Sequence, residues 1–321
     1  MIAMRLIVKR LIWMVPLLVG MSAVSFVMIH VAPGDPASVM FDPNFSVKDQ
    51  ALVRKNLGLD QPLVVQYGHW LAHMVRGDFG YSYVTGKPVV TSFLERLPAT
   101  LLLSVSSLVL IVGITLPLGM YSGAHPGSWI DRLIANITLL GLSVPTFWLG
   151  MMMIMVFSVW LGWFPSSGYL NPDLSEAGFL GTFLDRLHHL ILPLFTIVIA
   201  SLAGLTRYHR SGTKQLLNEP FVIACRARGL SENRILFKHI LKNAALPLIT
   251  ILGLELPALM SGAFVVEYLF AWPGMGQLGI ASIFSRDYPM IMGLLWVGAI
   301  LLIFGNMLAD MAYAWVDPRI R

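Results

Sequence analysis

Charge is scarce in this chain, and cysteine is nearly absent. Asp, Glu, Lys and Arg make up 12% of the 321 residues, where a soluble domain carries about a quarter, while 56% are hydrophobic. With a mean hydropathy of +0.73, the sequence is excluded from the soluble class and reads as an integral membrane protein. A single cysteine, Cys225, excludes an internal disulfide and any Cys-rich metal site. Enzymatic signatures are also missing. No G-x-x-x-x-G-K-[ST] phosphate loop, H-E-x-x-H zinc pair or G-x-S-x-G nucleophile elbow occurs, and the paired histidines His188 and His189 stand where an apolar stretch begins, as boundary residues do. The positive excess, 22 Lys and Arg against 17 Asp and Glu, gathers beside apolar runs, so it argues for a membrane and against nucleic acid.

What the sequence does have is apolar length. Six stretches, near 11–32, 99–123, 133–162, 188–206, 246–267 and 289–311, are long enough to cross a hydrocarbon core of about 30 Å. Arg5, Lys9 and Arg10 precede the first, which exceeds the roughly 7 to 15 residues of a signal-peptide core and so reads as an uncleaved span with its N-terminus inside. Segment 33–98 balances six acids against six bases and is rich in turn signals, among them Pro33-Gly34-Asp35-Pro36. It is expected as a small external subdomain. The organisation is therefore 1–32 as N-terminus and first span, 33–98 as external insert, and 99–321 as a five-helix core, with both termini inside.

Segment 207–243 interrupts that core with eight Lys or Arg against two acids, Glu219 and Glu232. Its signals describe two short helices meeting at a glycine. Asn218 can cap, Pro220 suits a first turn, Gly229 suits the position past a helix end, and Ser231 begins a second helix with Glu232 early and Lys238 and Lys242 late. On charge alone a solvated cytoplasmic connector fits equally.

Few other residues invite chemistry. Glu255 lies near the middle of the fifth stretch, where a lone charge costs at least about 2.5 kcal/mol. Ala258 and Gly262 share its helix face. Either the carboxylate meets a cationic part of a cargo in a pathway, or it is a protonated or hydrogen-bonded packing contact. Glu267, Arg286 and Asp287 read as interface charges at span ends, and Pro273, Gly274 and Gly276 as a turn. Pro16, Pro117, Pro145, Pro193, Pro247 and Pro257 read as ordinary kinks.

The order of residues from Glu219-Pro220-Phe221-Val222-Ile223-Ala224-Cys225-Arg226-Ala227-Arg228-Gly229-Leu230, then Lys238-His239 and Asn243 to Pro247, resembles the cytoplasmic loop of ABC importer permeases, specifically the B-type subunit of dipeptide, oligopeptide and nickel systems. Further phrases agree: Gly141 to Phe147, Phe270 to Gly276, Arg286-Asp287-Tyr288-Pro289, and Asp317 to Arg321. The resemblance implies an all-α, six-span, type I importer permease fold with a small external insert, in a bacterial inner membrane. It implies that Glu219, Ala224, Arg226, Ala227, Arg228, Gly229, Leu230 and His239 couple to an ATPase. Glu267, Pro273, Gly274, Arg286 and Asp287 would sit near an external gate or binding-protein contact, and Glu255, Ala258 and Gly262 in the pathway. The implied partners are a second, homologous permease, two ATPase subunits that carry the ATP and Mg, an external substrate-binding protein and membrane lipid. No cofactor would bind this chain itself. The broader family motif has an acid where Ile223 stands, and an aspartate and tyrosine where Pro220 and Phe221 stand. A non-enzymatic peptide-importer permease is the expectation. Nickel or another metal chelate is the alternative cargo. Outside the family stand a proton-coupled secondary transporter using Glu255 and a membrane scaffold or receptor.

Overall fold

The computed structural model describes residues 2–31, 47–56, 58–171, 178–244 and 264–316. Nearly all of this is helix, and among the described residues the isolated bridge between Tyr81 and Pro88 is the one β pairing. The helices are α1 (Ile2–Val31), α2 (Val47–Asn56), α3 (Leu63–Val75), α4 (Val89–Ala124), α5 (Trp129–Ser143), α6 (Thr146–Met153, continued in wider turns over Ile154–Trp160), α7 (Gly178–Leu216), α8 (Pro220–Ala227), α9 (Glu232–Arg234, continued in wider turns over Ile235–Ile240), α10 (Phe264–Leu269), α11 (Met275–Phe284) and α12 (Tyr288–Val316).

Among the described residues, four helical stretches are long and apolar enough to span a bilayer: Met14–Val31, Val89–Ala124, Gly178–Leu216 and Tyr288–Met307. The pair α5 and α6 makes up to a fifth. The expected span near 246–267 falls almost wholly outside the described residues. At 1.5 Å per residue, the 39 residues of α7 run about 58 Å, nearly twice the hydrocarbon thickness. The first ten residues of the basic segment are thus no loop at all: α7 carries Arg207 to Leu216 beyond its apolar part as continuous helix.

The third apolar stretch corrects an expectation. Pro145 is not an ordinary kink, because the axis turns by 103° between Trp129–Ser143 and Thr146–Trp160. The Pro145 ring clashes with a helical preceding residue, and Val144 is extended at φ −96, ψ 121. By contrast α4 passes through Pro98 and Pro117, and α7 through Pro193, without ending.

The main core lies between α4 and α7. Leu103 and Ile111 meet Leu190, Leu194, Ile197 and Val198, and Phe270 and Trp272 close the cluster. Trp272 also donates its indole N–H to the Ala99 carbonyl at 2.9 Å. The insert does not stand apart as packed: Tyr67 and Trp70 on α3 stack around Phe26 of α1, Trp70 meets Trp296 of α12, and the Tyr67 hydroxyl lies 2.9 Å from Ser22 Oγ. Elsewhere apolar side chains face outward, as Val15, Val24 and Met28 do on α1, which suits a lipid or protein neighbour and not water.

Candidate functional site

Helix α7 leads into the basic segment without a loose joint. Backbone bonds continue through Leu217, Asn218 and Glu219 to Thr213, Gln215 and Leu216, each at 3.1 Å. Pro220 then occupies the first turn of α8 and forces its predecessor to be extended, so the cap position falls on Glu219 (φ −73, ψ 147). Asn218, expected as the cap, instead donates its amide to the Lys214 carbonyl at 3.1 Å. Gly229 ends α8 at φ +74, in the left-handed region open to glycine, and the Leu230 N–H returns to the Cys225 carbonyl at 3.2 Å. Ser231 (φ −65, ψ 148) starts α9, with no side-chain cap bond.

The two short helices share a core of their own. Val222, Ile235, Ile240 and Ala244 are buried together, with Leu216, Leu217, Phe221, Cys225, Leu230 and Leu236 packed against them. Each buried branched side chain there contributes about 1.5–3 kcal/mol, so the α8–α9 unit is preformed. Across its corner Arg226 donates to both Glu232 oxygens at 2.7 and 3.1 Å, and this bond lowers the Glu232 carboxyl from its ordinary value. The outward face carries Ala224, Arg226, Ala227, Arg228 and Gly229, all exposed; Glu219, Leu230 and His239 are partly covered. Sequence reading missed two members of this surface, Ile223 (62% exposed) and Phe237 (63% exposed). Exposed apolar groups beside basic ones suit cover by a protein neighbour or by lipid.

Two turns back along α7, Arg210 reaches the start of α5. Its Nε and second terminal nitrogen donate to Asp131 at 2.6 and 2.8 Å, and Nε also donates to Ser122 Oγ at 3.0 Å. Asp131 accepts in addition from the Ser122 hydroxyl and from the Gly127 N–H at 2.8 Å. This carboxylate is 3% exposed. Close approach of the helices comes from Gly119 and Gly123 on α4: a Cβ at Gly119 would lie 2.8 Å from His209 Cβ, and one at Gly123 2.6 Å from the Arg210 carbonyl. The Gly-x-x-x-Gly spacing was in the sequence to be found. Arg210 was not distinguishable from its basic neighbours.

Beside the α5–α6 break an open groove of about 460 Å³ runs along α7, lined by Leu142, Thr146, Ala200, Ser201, Gly204, Leu205 and Tyr208. Three hydroxyls thus face one space. Glu255, Ala258 and Gly262, the pathway residues read from sequence, lie outside the described residues.

At the opposite end two of the three expected interface charges, Glu267 and Asp287, turn out to be buried. Glu267 is fully enclosed and accepts from Thr100 Oγ1 (2.9 Å), Gly276 N (2.7 Å) and Gln277 N (3.2 Å). A Cβ on Gly274 would collide with this carboxylate, so the glycine next to Pro273 is required by proximity. Asp287 is likewise buried, and takes the Ser82 hydroxyl and the Tyr83 N–H (3.1 Å). Burial, with Asp287 and Tyr288 nearby, pushes the Tyr83 phenol up to about 12. Arg286 is exposed, at φ +55. Their burial escaped sequence reading because Thr100, Ser82 and Tyr83, which donate to them, come from segments distant in sequence. His188 lies 2.7 Å from the Trp163 carbonyl, and among the described residues no group of His, Cys, Asp and Glu could hold a metal ion.

Comparison with known proteins covers nearly all of the chain. A family model described as "Binding-protein-dependent transport system inner membrane component" matches residues 115–321, and its N-terminal companion, "Binding-prot-dependent transport system membrane comp, N-term", matches residues 3–104. The chain is similar to the oligopeptide transport system permease protein AppB of Bacillus subtilis (strain 168), 46% identical over 317 residues, covering 98% of both chains. It is also similar to the glutathione transport system permease protein GsiC of Escherichia coli (strain K12), 37% identical over 315 residues and 98% of both chains. Among solved structures, a chain of the MetNI methionine ABC transporter in inward-facing conformations matches with a TM-score of 0.53 at 20% identity, covering 71% of this chain and 97% of that one, a likeness of fold.

Proposed function

The chain belongs to the binding-protein-dependent transport system inner membrane components, the permeases of ABC importers, and on that premise we propose how it works: as one half of the pathway of an ATP-driven peptide importer, with α8–α9 as the docking element for a cytoplasmic ATPase. The observation that carries this reading is the α8–α9 unit itself. It is a small, internally packed body, fixed to the end of a membrane-length helix, presenting a basic and small-residue face with Ile223 and Phe237 uncovered. A rigid body of that kind can be pushed, where a solvated connector would bend.

In this reading a second permease completes the pathway, two ATPase subunits bind ATP and Mg, and an external binding protein delivers cargo at the end where Glu267 and Asp287 hold the turns. Both termini are then cytoplasmic, as is α8–α9. Closure of the ATPases on ATP draws the docking elements together and changes which side the pathway opens to. The docking contact must differ in strength between the two ATPase states, since an equal contact shifts no equilibrium. Glu219, Arg226, Arg228 and Gly229 make that contact, and this chain supplies no catalytic group. The groove at the α5–α6 break, with the hydroxyls of Thr146, Ser201 and Tyr208, forms part of the pathway wall. The similarity to an oligopeptide and a glutathione permease favours peptides over a metal chelate as cargo.

The test is purification of the tagged chain in mild detergent, with identification of what accompanies it and an ATPase assay. P-loop ATPases and a second permease should co-purify, with activity lost on Gly229→Pro. A lone chain that moves solute without any ATPase would overturn the reading and favour proton coupling.

A further inference from the structure

We propose that Arg210 and Asp131 are the positioning pair that passes the displacement of α8–α9 to the α5–α6 wall of the groove. The inference rests on the docking role proposed above and adds the route. Four pieces of chain meet at the Asp131 carboxylate: the end of α4 through Ser122, the 124–128 turn through the Gly127 N–H, the first turn of α5 to which it belongs, and α7 through Arg210. From Arg210 to Glu219 the backbone is hydrogen-bonded helix and turn, and Leu216 and Leu217 pack into the α8–α9 core, so a push on α8 moves Arg210 with it. Asp131 and Leu142 lie on the same short helix, and Leu142 lines the groove. The 103° break that follows isolates α5 from the rest of its span, which lets α5 tilt as a separate lever.

The chemistry suits a joint that must hold while it moves. A two-toothed guanidinium–carboxylate contact fixes the relative orientation of two helices, yet the arginine stem lets the contact survive small shifts. The close α4–α7 approach at Gly119 and Gly123 keeps the fulcrum beside the pair. Without the pair, α8–α9 can still bind its ATPase, but its motion reaches α5 only through apolar packing such as that of Gly141 on Ala203.

Asp131→Asn and Arg210→Gln, singly and together, would be compared with Arg210→Lys in the reconstituted complex with its binding protein. The readouts are amount assembled, ATP hydrolysed, and uptake of radiolabelled tetra-alanine. The expected result is assembly close to wild type, ATP hydrolysis that no longer responds to the binding protein, and uptake per ATP down at least about tenfold. The double variant should be no worse than either single one, and Arg210→Lys should recover part of the coupling. A proportional fall of hydrolysis and uptake per assembled complex, or no change in either, overturns the proposal.

A second measurement needs no clamp variant. Spin labels at His125→Cys and Asn233→Cys, in a Cys225→Ser background, should keep one distance distribution with and without trapped ATP, while an Asn233→Cys and Arg286→Cys pair shifts. If the 125–233 distance shifts as well, corner and docking element do not move as one body and the inference fails while the importer reading stands. A wild-type complex without ATPase subunits would instead remove that reading, and the route with it.

Discussion

Two pairs of carboxylates, one pair at each end of the molecule, are held in different ways. At the far end Glu267 and Asp287 are buried on neutral donors: backbone N–H groups and the hydroxyls of Thr100 and Ser82. At the basic end Asp131 and Glu232 are held by arginines, Arg210 and Arg226. Backbone amides cannot follow a moving partner, so the far-end seats fix a shape. Guanidinium groups on long stems can follow, so the basic end can stay connected while its helices shift. The difference marks one end as a frame and the other as a lever.

The comparison is broken most severely at the far end. Glu267→Leu strands the Thr100 hydroxyl and the Gly276 and Gln277 amides in a closed site. At about 1–3 kcal/mol for each unsatisfied buried group, the loss should exceed about 3 kcal/mol and abolish the monodisperse peak on detergent gel filtration. Glu267→Gln keeps an acceptor for the two amides and should lose less than half as much. Next comes Asp131→Asn. A fully buried pair broken at one partner costs about 3–5 kcal/mol, but Arg210 is 30% exposed, so about 2 kcal/mol is expected, read as a fall in melting temperature. Gly229→Ala should cost about 1 kcal/mol for placing a Cβ at φ +74. Gly229→Pro cannot adopt that angle at all and should remove ATPase response while α1, α4 and α12 remain folded.

The smallest effect belongs to the exposed Arg226–Glu232 pair. Its folded carboxyl is lowered by Arg226, so the pair's contribution is present above the ordinary value of 4.5 and disappears as pH falls through the folded value. Melting temperature of Glu232→Gln should therefore track wild type in its pH dependence between about pH 6 and 8, and the difference between the two should narrow only below that ordinary carboxyl range.

Much of this frame was visible in the sequence because its signals are local. Apolar length marks α1, α4, α7 and α12. The Pro220 and Gly229 pair marks both ends of α8, and its basic and small residues mark the face proposed for docking. Pro145 shows where local reading stops. Chemically it is the same residue as Pro98, Pro117 and Pro193, through which helices continue, and only its surroundings turn it into a 103° break. Glu267 and Asp287 look like surface acids until α4 and the 81–88 turn bring their donors. Arg210 is one of eight basic residues in its segment, and nothing local says that Asp131, far earlier in the chain, is waiting for it.

The central claim, that α8–α9 is the ATPase docking element, is tested most directly by a photo-crosslinking amino acid placed at Ile223, an exposed apolar residue on α8, in the chain expressed together with its partner subunits. The expected product is a covalent adduct whose second component carries a phosphate-binding loop, absent when the same probe stands at Phe284 at the far end. An assembled complex with ATPase activity in which Ile223 labels lipid alone, and the probe at Phe284 captures the ATPase, would contradict it.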